Sequence, residues 1–225
     1  AMGGDQVLPK LALGPSGGYL VFQDNRTDGD GLGISARRLD PNMIGAFDPF
    51  RVNSEGADDQ ENARVALFPD GGAVFVWQGG PLVKQHIYAR FLRADGTWVG
   101  NEIRVSSDAG GTKRMPVVAV LENGEAVVAW ESYNQDGHHF GVYGQRLSSL
   151  GEKLSDEFQI SQSALNNQRQ PAVTALSGGG FIVAWISEHL RGVSFSTPPT
   201  GENRERGSGA LDYDVQVLTR SFGND

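Results

Sequence analysis

The feature that most restricts what this chain can fold into is that it repeats itself. Four segments superimpose: Pro9-Lys10-Leu11-Ala12-Leu13, Ala63-Arg64-Val65-Ala66-Leu67, Pro116-Val117-Val118-Ala119-Val120 and Pro171-Ala172-Val173-Thr174-Ala175, at spacings of 54, 53 and 55 residues. A period of this size marks an architecture in which each unit buries its apolar faces only against its neighbours. Each segment runs into a Gly-containing turn, as in Pro69-Asp70-Gly71-Gly72 or Glu122-Asn123-Gly124. A second run follows: Ala73-Val74-Phe75-Val76-Trp77, Ala126-Val127-Val128-Ala129-Trp130 and Phe181-Ile182-Val183-Ala184-Trp185. In the first copy, Tyr19-Leu20-Val21-Phe22-Gln23 places Gln23 where the others carry Trp.

These second runs are apolar at nearly every position, as a strand buried on both faces must be. After a variable loop comes a third strand: Ile34-Ser35-Ala36-Arg37, Ile87-Tyr88-Ala89-Arg90, Val142-Tyr143-Gly144-Gln145 and Val217-Leu218-Thr219-Arg220. A fourth follows at Phe50-Arg51-Val52, Glu102-Ile103-Arg104-Val105 and Glu157-Phe158-Gln159-Ile160. The expected fold is all-β: a β-propeller of four repeats of about 53 residues, with four antiparallel strands per blade and the last blade incomplete. Residues 4–225 form one domain, with repeats at approximately 4–57, 58–110, 111–165 and 166–225, and residues 1–3 read as an expression scar. A β-solenoid or tandem sandwiches are the alternative architectures.

The pattern P-x-V-A-L-x-D-G-G-x-V-V-x-W, then I-Y-A-Q/R-R-L, then G-x-E-F/I-x-V-S, resembles the propeller-type tandem repeats of large exported bacterial proteins, some of them surface or adhesin-like. The resemblance covers nearly the whole chain. It implies an extracellular or cell-surface location and a scaffold role, without fixing an activity.

The net charge of −8 and the lack of any Lys/Arg run argue against nucleic acid and anionic membranes as partners. No apolar stretch has the length of a membrane span, which argues against membrane insertion. The chain has no Cys.

If strands run up and down within a blade, the short turns 1–2 and 3–4 share one face, and the longer loops 2–3 and 4–1 share the other. Loops that vary on a constant scaffold are the usual place for recognition. The second face is therefore expected to hold the ligand, with Asp24, Glu131, Asp136, His138, His139 and His189 as candidate binding residues. Asp24-Asn25-Arg26-Thr27-Asp28-Gly29-Asp30-Gly31 has the alternating oxygen donors of a calcium loop, which makes Asp24, Asp28 and Asp30 candidate calcium ligands, although it lacks a closing Glu. The aligned Trp residues read as core between blades, and Arg37, Arg90 and Arg220 as structural donors. Residues 187–214 read as a long loop, placed either over the central channel or against a neighbouring domain.

With no G-x-S-x-G motif, no Cys and no phosphate-cradling loop, the leading expectation is a non-enzymatic module binding a glycan or protein on the second face. The enzymatic alternative is a propeller glycoside hydrolase or lyase using loop carboxylates drawn from Asp24, Glu131 and Asp136. A structural scaffold or assembly unit is the other alternative. An unpaired edge strand would also invite self-association.

Overall fold

The alternation of doubly apolar strands and tight glycine turns produces four antiparallel sheets and no helix among the described residues. The structure is a computed structural model that describes residues 4–42, 48–163, 165–194 and 210–223, without the side chains of 190–213. Sheet 1 holds β1 (Gln6–Gly14), β2 (Gly17–Asp24), β3 (Gly33–Leu39) and β4 (Phe50–Arg51). Sheet 2 holds β5 (Gln60–Leu67), β6 (Ala73–Gly79), β7 (His86–Leu92) and β8 (Ile103–Arg104). Sheet 3 holds β9 (Lys113–Val120), β10 (Ala126–Tyr133), β11 (Phe140–Leu147) and β12 (Phe158–Gln159). Sheet 4 holds three strands, β13 (Gln168–Ala175), β14 (Phe181–Ser194) and β15 (Ala210–Phe222). The fourth strands are only two residues long, shorter than the sequence suggested.

The sheets pack face to face in chain order, and three apolar clusters fill the gaps. Tyr19, Val21 and Ile34 of sheet 1 meet Val65, Phe75 and Trp77 of sheet 2. Val74, Val76 and Ile87 of sheet 2 meet Val128, Trp130 and Leu147 of sheet 3. Val127, Ala129 and Ile160 of sheet 3 meet Phe181, Val183 and Trp185 of sheet 4. Successive residues of β6 and β10 thus serve opposite gaps, which is why these strands lack polar alternation. Among the described residues no comparable cluster joins sheet 4 to sheet 1.

Trp77, Trp130 and Trp185 all point back toward the preceding sheet and are core. The register corrects the place of Gln23. Val7 pairs with Gln23, Glu61 with Gln78, Arg114 with Glu131 and Arg169 with Ile186. Gln23 is therefore the counterpart of Gln78 and Glu131, and Phe22 takes the tryptophan position. The cause is the first turn: Leu13 pairs with Gly18 across four residues, whereas Leu67 and Ala73 are separated by five. Those five-residue turns carry a glycine at positive φ, Gly71 at 93° and Gly124 at 81°, a conformation that a side chain disfavours.

A second correction concerns residues 187–214. Its described parts, 187–194 and 210–214, form a β-hairpin extension, in which Ser187 pairs with Gln216 and Ser194 with Ala210, so the strands continue where a loop was expected. The tip, 195–209, lies outside the described residues.

Candidate functional site at the centre of the sheet array

All four inner strands contain the same irregularity. The register of β1, β5, β9 and β13 shifts just before the repeated Pro or Ala. The residue at the shift has a left-handed backbone in every copy: Leu8 (φ 52°), Asn62 (55°), Met115 (54°) and Gln170 (53°). Non-glycine residues there carry a cost of about 1–2 kcal/mol, so a bulge repeated four times has a compensating contact. At each internal junction that contact is a side chain of the preceding sheet. Gln23 Oε1 accepts from Asn62 N (2.9 Å), Gln78 Oε1 from Met115 N (2.8 Å) and Glu131 Oε1 from Gln170 N (2.7 Å).

The bulges of sheets 2 to 4 turn polar side chains into a cavity of about 400 Å³ at the end of the array where the 2–3 loops lie. Glu61, Gln78, Gln85, Arg114, Glu131 and Arg169 line it. Glu61 Oε2 accepts from the side-chain amides of Gln85 (3.0 Å) and Gln78 (3.4 Å), and its side chain is partly exposed. Arg114 Nε donates to Glu131 Oε2 at 2.7 Å, and its guanidinium lies 3.8 Å from the centre of the Phe140 ring. Glu131 is 1% exposed, so both of its oxygens are engaged in a nearly dry setting. Arg169 is tied to Glu188 by a hydrogen bond from Nε (2.7 Å), and Asn167 donates to the same carboxylate (2.9 Å). Burial works to raise the pKa of Glu188, but the bonds from Asn167 and Arg169 outweigh it and hold the group below its usual value. Leu82, 80% exposed, stands at the cavity mouth.

A larger cavity, about 610 Å³, opens at the opposite end among the 1–2 turns. Its lining is mainly glycine, proline and aliphatic side chains. Its carboxylates serve the turns themselves, with Asp70 accepting from Gly72 N (2.8 Å) and Glu122 from Gly178 N (3.1 Å). The smaller cavity, with its concentrated charge, is the candidate site.

Of the residues expected from sequence, only Glu131 lines this site. Asp24 is 1% exposed and closes its own turn, accepting from Arg26 N (2.9 Å), Thr27 N (2.7 Å) and the Thr27 hydroxyl. Asp28 accepts from Asn53 Nδ2 (3.2 Å) and from Asp30 N (3.3 Å). Among the described residues no three carboxylate or imidazole groups converge as metal ligands would, so Asp24, Asp28 and Asp30 are not brought together. Asp136 accepts from Gln159 Nε2 (3.0 Å), while His138 and His139 are exposed in the 2–3 loop. His189 Nε2 lies 3.0 Å from the Ser187 hydroxyl. His86 starts β7 and is buried beside Ser106, and burial pushes its pKa down. Arg90 and Arg220 donate to backbone carbonyls of the preceding sheet, Val52 O (2.8 Å) and Ile160 O (3.3 Å).

Sequence reasoning missed Glu61, Arg114 and Arg169. A signal was available: these residues and Val7 occupy one repeat position at the start of the inner strand, where chemistry changes while the fold does not.

Burial works to raise the pKa of Asp24, but hydrogen bonds from Ser35, Thr27 and the backbone outweigh it and leave it lowered. A carboxylate depressed in the folded state stabilises the fold above its unfolded pKa, and that contribution is lost as pH falls through the folded value. Asp24→Asn is expected to cost about 1–3 kcal/mol at pH 7. The gap from wild type should shrink on acidification below about pH 5, as followed by urea unfolding at pH 7 and pH 3.

No family model and no curated protein matches this chain. Solved structures do match. An endo-arabinase from Bacteroides thetaiotaomicron superimposes with a TM-score of 0.52 at 12% identity, over 93% of this chain and 74% of its own. An α-L-arabinanase from Penicillium chrysogenum, solved with arabinobiose, gives 0.54 at 17% identity, over 78% of this chain and 57% of its own. An α-L-arabinofuranosidase of Fusarium graminearum, also with arabinobiose, gives 0.56 at 14% identity, over 92% and 60%. The fold is shared with these proteins, and the chain spans roughly 57 to 74% of their length. The expectation of a non-enzymatic binding module is corrected here: the solved proteins that share the fold cleave glycans, and the central cavity holds acidic groups beside guanidinium donors.

Proposed function

We propose that the chain is a glycoside hydrolase domain working at the central cavity. The observation that carries this reading is the grouping of an accessible carboxylate, Glu61, with a buried ion-paired one, Glu131, in the middle of a glycosidase-type propeller. Glycoside hydrolysis needs a proton for the departing oxygen and negative charge near the sugar as it turns oxocarbenium-like. Glu61, held by neutral amides and open to the cavity, delivers the proton. Glu131, fixed by Arg114 and the Gln170 N–H, supplies the charge; water then bonds to the anomeric carbon and gives its spare proton to Glu61, which restores the acid. Arg114 and Arg169, with side chains 41% and 36% exposed, offer donors to sugar hydroxyls. The structural neighbours solved with arabinobiose make an arabinose-containing glycan the first substrate class to try. An exported location goes with this proposal, resting on the repeat resemblance.

The test is release of reducing ends from arabinan, arabinoxylan and cello-oligosaccharides, run beside a binding measurement on the same glycans. Cleavage of one of them supports the proposal. Tight binding with no cleavage would return the domain to a lectin-like role and sink it.

A further inference from the structure

The two ends of the sheet array carry unfinished copies of the internal junctions. At those junctions, the strand-3 position opposite the Gln/Glu staple is fully buried: Ile34, Ile87 and Val142 are each 0% exposed. Its counterpart in sheet 4 is Val217, paired with Ile186 and 73% exposed. On the other side, Val65, Val118 and Val173 pack into the clusters, whereas their counterpart Leu11 is 58% exposed. Leu67, Val120 and Ala175 pack likewise, and their counterpart Leu13 is 45% exposed. Phe22 on this face is itself buried, so the open surface runs along β1. Arg37 stands at the position from which Arg90 and Arg220 reach the preceding sheet, and its buried Nε has no partner among the described residues.

The chemistry of the two ends also matches. Internally a polar staple meets a mostly polar bulge: Gln23 with Glu61-Asn62, Gln78 with Arg114-Met115, Glu131 with Arg169-Gln170. At the ends the staple position holds Ile186, and the bulge holds Val7 and Leu8, 42% and 48% exposed. With no acceptor at Ile186, the match between the two ends lies in apolar side chains, Ile186 and Val217 against Val7, Leu8 and Leu11. Exposed side chains at positions that are core elsewhere mark a surface that is covered in use.

We infer that the sheet 4 face of one chain docks on the sheet 1 face of a second copy, head to tail, continuing the sheet stacking between molecules. The contact is heterologous, since two different surfaces meet, and it closes a ring or propagates according to the rotation it imposes. It is independent of the catalytic proposal, because Val217 and Leu11 lie outside the central cavity.

The experiment is mass by light scattering and sedimentation on the wild-type chain, Val217→Asp, Leu11→Asp and their equimolar mixture. Both substitutions fall on exposed side chains, so the fold survives them, as far-UV circular dichroism should confirm. Wild type is expected at twice the 24.1 kDa chain mass or more, and each variant alone at the monomer mass. The mixture should return to a dimer, because each variant supplies the intact face the other lacks. A monomeric wild type, or variants that assemble unchanged, would overturn the inference. So would a mixture that stays monomeric.

Discussion

Glu61→Gln is expected to lower glycan cleavage by about 10²- to 10⁴-fold, the range that a positioned proton-transfer group contributes. The substitution keeps the shape of the side chain and its place beside Gln78 and Gln85, but it removes the proton that the leaving oxygen needs. Substrate affinity should change little, so the loss belongs in kcat rather than KM. Thermal stability should also stay near wild type, because Glu61 is partly exposed and, among the described residues, forms no ion pair. Glu131→Gln provides the contrast. It breaks an ion pair in which the carboxylate is almost fully buried, and it should reduce stability and activity together. If Glu61→Gln keeps full activity while Glu131→Gln loses it, Glu61 is not the proton donor and the assignment of roles fails.

Trp130→Ala is expected to cost about 3–5 kcal/mol, the usual penalty for emptying an aromatic site in a packed core. Trp130 is 0% exposed and lies in the cluster between sheets 2 and 3, against residues such as Val76 and Ile87. Among the described residues its indole Nε1 has no hydrogen-bond partner, so the loss is one of packing alone. Trp130→Phe should therefore recover much of the difference, which a polar role for the indole would not allow. Against a total stability of about 5–15 kcal/mol for a typical domain, the alanine change is severe. It should lower Tm by roughly 6–20 °C in a scan followed by near-UV circular dichroism. A drop of only a degree or two would mean that the gap between sheets 2 and 3 collapses to fill the space.

The repeat was legible in the sequence because strands buried on both faces cannot hide their composition. The runs at 73–77, 126–130 and 181–185 are apolar throughout and became the second strands of three sheets. The core role of the aligned tryptophans followed from their recurrence at one place in each unit. The position of Gln23 was misread for a local reason, since a first turn shorter by one residue displaces any alignment counted from the glycines.

The site was less legible. Of six candidate binding residues, Glu131 alone reached the cavity, because sequence reasoning placed function in the loops, and the fold built it at the bulges of the inner strands. A bulge leaves no composition signal: Leu8, Asn62, Met115 and Gln170 share a backbone shape but no side-chain chemistry. Residues 187–194 and 210–214 read as loop through their Ser, Glu and Arg content, yet cross-strand pairing made them strand.

By itself, then, the sequence determined the local and periodic properties: strand identity, turn position, the number of units and which strands are buried on both sides. These follow from side-chain chemistry at short range and from the spacing of one unit to the next. Only the tertiary structure decided which polar residues meet and which faces are left open. Glu61 and Glu131 come together across 70 residues of sequence because sheets 2 and 3 stack, and Val217 stays exposed because, among the described residues, no sheet lies against it. Contacts of that kind depend on how sheets are oriented in space, and no stretch of residues encodes that orientation locally.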